Sequence, residues 1–148
     1  MKGVIGVGSI FRGDDGIGVR LVQELRKREK PQDLKLVNAS SEGLKVMHHL
    51  KNLDKVIIVD AVKFGGDPGE YIFFSPEEVD SLRKYFSPHE LGMLENIRLS
   101  KELGEAPEKV IIMGIEPDDT SFNQELSSKL KENFSRLAEE LFEKIKEL

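Results

Sequence analysis

Val56-Ile57-Ile58-Val59-Asp60-Ala61 is the stretch on which the fold turns. Four β-branched residues run together without a polar interruption, the pattern of a strand covered on both faces at the centre of a parallel sheet. An acid closes the run, at the end of the strand where open α/β sheets place their ligands. Outward from it, short apolar runs alternate with segments of helical period. Before it come a strand at Val4–Val7, a helix from Gly16 to about Arg28 with Ile17, Leu21, Val22 and Leu25 on one face, a strand at Leu34–Val37 and a helix at Glu42–Leu50. After it come a strand at Tyr71–Phe74, placed near an edge by the Pro68-Gly69 turn, and a last strand at Val110–Met113. Leu126, Leu130, Phe134, Leu137, Leu141, Ile145 and Leu148 then recur at three- to four-residue spacing and predict a long amphipathic C-terminal helix. Ser75-Pro76-Glu77-Glu78 and Ser87-Pro88-His89-Glu90 read as helix starts, each with an N-cap serine, proline at the first helical position and glutamate two residues later. Gly104 is the expected C-cap of the second. The alternation predicts an α/β protein: a three-layer αβα sandwich around a mostly parallel sheet of about five strands, with helices on both faces, as a single domain over residues 1–148.

Composition narrows the chemistry. The 148 residues carry a net charge of −5, which argues against a general nucleic-acid binder with a basic face. The absence of cysteine removes disulfide scaffolds, zinc ribbons, iron–sulfur clusters and thiol nucleophiles, so any metal would sit on histidine, carboxylate or carbonyl ligands. Val4–Val7 is too short for a signal-peptide core or a membrane span, and a cytoplasmic location is the expectation.

The first loop reads Gly6-Val7-Gly8-Ser9-Ile10-Phe11-Arg12-Gly13-Asp14-Asp15-Gly16. Its glycine pair does not complete a dinucleotide fingerprint, because position 11 is phenylalanine, and two aspartates where a helix would receive a pyrophosphate repel it. One of Asp14 and Asp15 is expected to cap the helix and the other to point into a cleft. If the first and third strands are neighbours, Asp15 and the strand-ending Asp60 share one crevice. His89 sits at the second position of its helix, where the positive end of the dipole disfavours imidazolium and leaves a lone pair for a metal. His48 and His49 fall within a helix without an acidic partner and read as structural. Glu116, in Gly114-Ile115-Glu116-Pro117, reaches the same sheet edge as an outer-shell group. Two carboxylates and one imidazole form an incomplete coordination set that suits a borderline ion such as Zn²⁺ or Ni²⁺, with positions left for water or a substrate's ligands. No G-x-S-x-G elbow and no H-E-x-x-H pair occurs.

Taken in order, Gly6-Val7-Gly8, Gly13-Asp14-Asp15-Gly16-Ile17-Gly18, Asp60-Ala61, Ser87-Pro88-His89 and Gly114-Ile115-Glu116-Pro117 resemble the motifs of the hydrogenase maturation endopeptidases, and the resemblance covers nearly the whole chain. It implies an endopeptidase that trims the C-terminal extension of a nickel–iron hydrogenase large-subunit precursor. The family's metal-binding acid of the first loop falls on Asp15, its strand-end acid on Asp60 and its histidine on His89, as both metal-binding and catalytic residues. It implies, too, that the nickel arrives with the precursor. No organic cofactor, no nucleic-acid partner and no membrane insertion is expected, and a monomer is the expected state. One position departs from the pattern: the family's G-x-G-N reads Gly6-Val7-Gly8-Ser9, which loses an amide donor. Two other readings compete. One is a Mg²⁺-dependent phosphohydrolase using Asp14, Asp15 and Asp60, with Arg12 as the nearest phosphate-holding cation. The other is a nickel or hydrogenase assembly chaperone that binds the precursor without cutting it.

Overall fold

In the computed structural model, which describes residues 1–28, 30–39, 48–82, 84, 86 and 88–148, without the side chains of 79, 82 and 88–90, five strands form one sheet in the order β2-β1-β3-β5-β4. They are β1 (Lys2–Val7), β2 (Leu34–Ala39), β3 (Lys55–Ala61), β4 (Tyr71–Phe74) and β5 (Lys109–Ile115). The first three of these and β5 are parallel; β4 joins the edge antiparallel to β5. The expected αβα sandwich with β3 at its centre and Tyr71–Phe74 at an edge is therefore what forms. Helix α1 (Ile17–Leu25) follows β1, a short helical stretch ending in α2 (Val79–Leu82) follows β4, α3 (Pro88–Glu102) leads into β5, and α4 (Ser128–Glu147) closes the chain. Of the helix expected over Glu42–Leu50, His48–Leu50 are helical and 40–47 lie outside the described residues. So does Ser87, the second expected N-cap.

The uninterrupted apolar run of β3 has a simple cause. Val56 and Ile58 pack on one face with Leu50, Leu53 and the α3 residues Met93, Leu94 and Ile97. Ile57 and Val59 pack on the other with Ile17, Leu21 and Leu25 of α1 and Leu130, Leu137, Leu141 and Ile145 of α4. Every position from Val56 to Val59 is thus dictated by one core or the other. The end of α3 follows the sequence expectation: Gly104 N–H donates to Lys101 O (3.1 Å) and Glu105 N–H to Ser100 O (2.8 Å), the paired bonds of a glycine-terminated helix. At Ser75 the capping differs from expectation. Its hydroxyl donates to the Glu78 carboxylate (3.3 Å), and the Glu78 N–H donates to the Ser75 carbonyl (3.0 Å). The Glu78 N–H needs no side-chain acceptor because a 3₁₀ turn over Pro76–Glu78 already supplies one.

Two features position the functional edge. Helix α1 lies unusually close to the sheet: a Cβ added at Gly18 would stand 2.1 Å from the Val59 carbonyl oxygen, and one at Gly6 2.5 Å from the Gly18 oxygen. And β1 sits between β2 and β3, so the chain leaves it towards one neighbour and returns on the other side. The crevice at the carboxyl ends of β1 and β3 is the topological switch point, the customary ligand position of such sheets. Among the described residues, no helix is long and apolar enough to cross a membrane.

Gly18→Ala is expected to lower stability by about 1–3 kcal/mol in urea unfolding, because the helix must lift off β3 to admit one methyl group. A second expectation concerns pH. Lys101 of α3 pairs with Glu77 and holds its carboxyl below the usual glutamate range. A depressed folded-state pKa adds stability above the unfolded value and loses it as pH falls. The pair is half exposed, so Lys101→Met should cost a few tenths of a kcal/mol near neutrality. Denaturation curves of the two proteins should converge as pH drops through the glutamate range.

Candidate functional site

The site grows out of the loop that leaves β1. Gly8 has φ +121°, and a Cβ there would lie 1.9 Å from the Asp15 carbonyl oxygen; only glycine lets the chain turn back over the strand end. The loop then closes on itself. Ser9 N–H donates to Asp15 Oδ2 (2.9 Å), Arg12 N–H to Ser9 O (3.2 Å), Asp15 N–H to Arg12 O (3.1 Å), and Phe11 N–H to Ser9 Oγ (3.3 Å). Serine at position 9 therefore organises the turn through its hydroxyl. Asp15 Oδ1 has no hydrogen-bond partner among the described residues.

The expectation that one of the paired aspartates caps α1 does not hold. A 3₁₀ turn over Gly13–Gly16 intervenes, and the N-cap, Gly16, has no side-chain cap. Asp14 is instead fully buried. Its Oδ2 accepts from Asp118 N–H (2.8 Å) and Asp119 N–H (2.9 Å), and its Oδ1 from Ser127 N–H (2.7 Å) at the start of α4. These bonds stitch the β1 loop to the segment that follows β5, which removes Asp14 from any ligand role and takes one of three carboxylates from the phosphohydrolase reading.

Asp60 sits at the end of β3, opposite Gly114 of β5 and one residue past the last β1 pairing. It is 7% exposed, and its Oδ1 accepts the N–H of Ala61 (2.8 Å). The turn carrying Asp15 packs against β3, the strand that carries Asp60. Glu116, 8% exposed, was expected as an outer-shell group. Its Oε1 accepts from Phe64, Gly65 and Gly66 N–H at 2.9–3.0 Å, and its backbone bonds Glu70 and Gly69, so it clamps the loop that follows Asp60. His89 is the second residue of α3. That helix returns to β5 through residues 103–108, so its N-terminus faces the carboxyl edge of the sheet, the edge of Asp15 and Asp60. The His89 side chain lies outside the described residues. His48 and His49 lie away from this edge, beside Leu50 and Asn52. Among the described residues, no three His, Asp or Glu side chains form a group that could hold a metal ion.

Reading the sequence did not find what Asp14 and Glu116 do. The signal was present in weak form: an acid next to the candidate ligand, and an acid just after the last strand, with a Gly65-Gly66 turn elsewhere in the chain as a source of backbone donors.

Residues 19–144 match the family model described as hydrogenase maturation protease. The chain is 33% identical over 118 residues to the hydrogenase 2 maturation protease of Escherichia coli, covering 78% of this chain and 72% of that one. It is 31% identical over 119 residues to the hydrogenase expression/formation protein HupD of Bradyrhizobium diazoefficiens, again 78% of this chain. The chain spans only about three fifths of the length of that relative and of the HoxM proteins it matches. Among solved structures, the hydrogenase maturating endopeptidase HybD from E. coli superposes with a TM-score of 0.86 at 28% identity, over 99% of this chain and 92% of that one.

Asp14→Ala is expected to leave three part-buried N–H groups without their carboxylate acceptor and to lower stability by about 2–3 kcal/mol, read from denaturant midpoints. Asp14→Asn, which keeps one accepting oxygen, should fall between the two. A wild-type midpoint for Asp14→Ala would show that the loop holds without the carboxylate.

Proposed function

The chain belongs to the hydrogenase maturation protease family, and on that premise we propose that it is an endopeptidase that removes the C-terminal extension of a nickel-loaded hydrogenase large-subunit precursor. In this reading the nickel is part of the substrate. Asp15, Asp60 and His89 complete its coordination and bring the scissile carbonyl beside it, and no organic cofactor takes part. The 148 residues act as one domain, a monomer in the cytoplasm.

One observation supports this assignment above the others: the division of labour among the four acids of the functional edge. Asp14 and Glu116 each accept three backbone N–H groups and hold loops. Asp15 accepts a single N–H, that of Ser9, through Oδ2, and Asp60 accepts the Ala61 N–H through Oδ1. The Asp15 carboxylate, fixed in its plane by that bond, can still present Oδ1 to a cation. His89, at the start of α3 on the same edge, adds the borderline nitrogen that a nickel ion favours. The absence of thiols fits as well, because the soft ligands would come from the precursor. A metal ion placed against the peptide carbonyl polarises it or activates a bound water, which accounts for a peptidase without a serine or cysteine nucleophile.

The test is processing of the precursor, followed by its mass on gels, with nickel present and absent. Nickel-loaded precursor is expected to be shortened and nickel-free precursor left intact; full-rate cleavage without nickel overturns recognition through the ion. Asp15→Asn and Asp60→Asn, made separately, should each reduce processing by at least about a hundredfold with unchanged circular dichroism. A precursor that is bound but never shortened would instead support the non-cutting assembly chaperone.

A further inference from the structure

Two large apolar side chains stand in water beside the site. Phe122 is 89% exposed and Phe11 is 54% exposed. Isolated exposed apolar residues are ordinary, but these two are a structural pair. Arg12 and Asn123 form a parallel β-bridge, which puts Phe11 and Phe122 at matching positions one residue earlier on each strand. Asn123 N–H donates to Phe11 O (3.0 Å), Gly13 N–H to Asn123 O (2.8 Å) and Asp14 N–H to Asp119 O (2.9 Å). Arg12 Nε donates to Thr120 O (3.3 Å), and side chains of the outer segment bond back to it, Asp119 to Ser121 N–H (2.8 Å) and Asn123 to Glu125 N–H (3.0 Å). The Asp14 carboxylate closes the base of the same unit.

A loop bonded so densely cannot swing Phe122 onto the α1–α4 surface, where Leu126 and Phe134 already pack. The ring is held outward by its backbone. An apolar group fixed in advance loses little conformational freedom on contact, and aromatic rings of this kind supply the anchors of protein interfaces. The pair is continuous with the site, because Phe11 lies in the turn that Ser9 closes onto Asp15. Its surroundings select the kind of partner. Asp118 and Asp119 are exposed, and hydrogen bonds from Ser121 keep the Asp119 carboxyl below its ordinary range. With a net charge of −5 overall, such a rim repels an anionic bilayer and suits a protein surface with basic residues around an apolar depression.

We propose that Phe11 and Phe122 are a preformed anchor that seats the folded body of the precursor against the Asp15–Asp60 crevice, by entering an apolar depression bordered by basic residues. This rests on the peptidase reading and adds a contact remote from the metal and the scissile bond. A contact with the substrate's body is made equally before and during cleavage, so it sets KM and leaves kcat alone.

The experiment is steady-state processing of the nickel-loaded precursor by the wild type, Phe122→Ser, Phe11→Ser and Leu103→Ser. The last removes an exposed apolar side chain, 64% accessible, from the turn after α3 at the opposite edge. Phe122→Ser and Phe11→Ser are expected to raise KM about tenfold or more, with kcat within about twofold, unchanged thermal midpoints, and a steeper penalty at high salt. Leu103→Ser should match the wild type. Unchanged KM in both phenylalanine variants overturns the anchor, as does a fall in kcat alone. A wild-type dimer that Phe122→Ser dissociates assigns the pair to a second copy of this chain and overturns it as well. If the wild type leaves the precursor uncut, the peptidase reading fails on its own. Calorimetric binding of the precursor to wild type and Phe122→Ser then decides the anchor, and equal affinities overturn it.

Discussion

The Asp14 carboxylate joins the two ends of the chain's functional edge. Buried without contact to water, it accepts the N–H groups of Asp118, Asp119 and Ser127, more than a hundred residues along the chain. A buried carboxylate is stable only when its lone pairs are filled, and backbone N–H groups in a turn are as costly to bury unfilled. Each side of the contact therefore requires the other. Fixing Asp14 fixes the 3₁₀ turn, and the turn fixes the direction of Asp15, which is the next residue. It also sets where α4 begins, so the helix that covers one face of the sheet and the loop that forms the site share one tether.

Glu116 repeats the device on the neighbouring loop. It gathers three consecutive N–H groups of the turn after β3, the strand that ends in Asp60. The two candidate carboxylate ligands thus lie on segments each stabilised by a different buried acid. Precision at a site of this kind comes from the shell behind the ligands, since a carboxylate on a loose loop would sample many positions and hold a metal in none. The close approach of α1 to β3 at Gly18 serves the same end from the other side, because it leaves the helix no room to shift over the crevice.

How much of this was legible in the residues depended on the range over which the information acts. The order of the strands, the central place of Val56–Val59, the edge position of Tyr71–Phe74 and the cap at Gly104 are local matters of period, β-branching and turn chemistry, and each reads directly. The roles of the acids are not local. Asp14 and Asp15 are adjacent and chemically identical, and the cap expected of one of them did not form. What separates them is the arrival of residues 118–127 on one side and not the other, which no spacing within the first loop encodes. The same holds for Glu116, whose partners lie about fifty residues away.

From sequence alone came the class of the fold, the edge of the sheet on which chemistry would sit, the exclusion of thiol and conventional serine catalysis, and the likeness to the hydrogenase maturation endopeptidases. These follow from composition, periodicity and motif order, which survive in one dimension. The tertiary structure alone decided which acids hold loops, why Gly8 and Gly18 admit no side chain, and that Phe11 and Phe122 stand paired in water. Those outcomes depend on which backbone N–H groups and carbonyls come within about 3 Å after folding, and that proximity belongs to the packed chain.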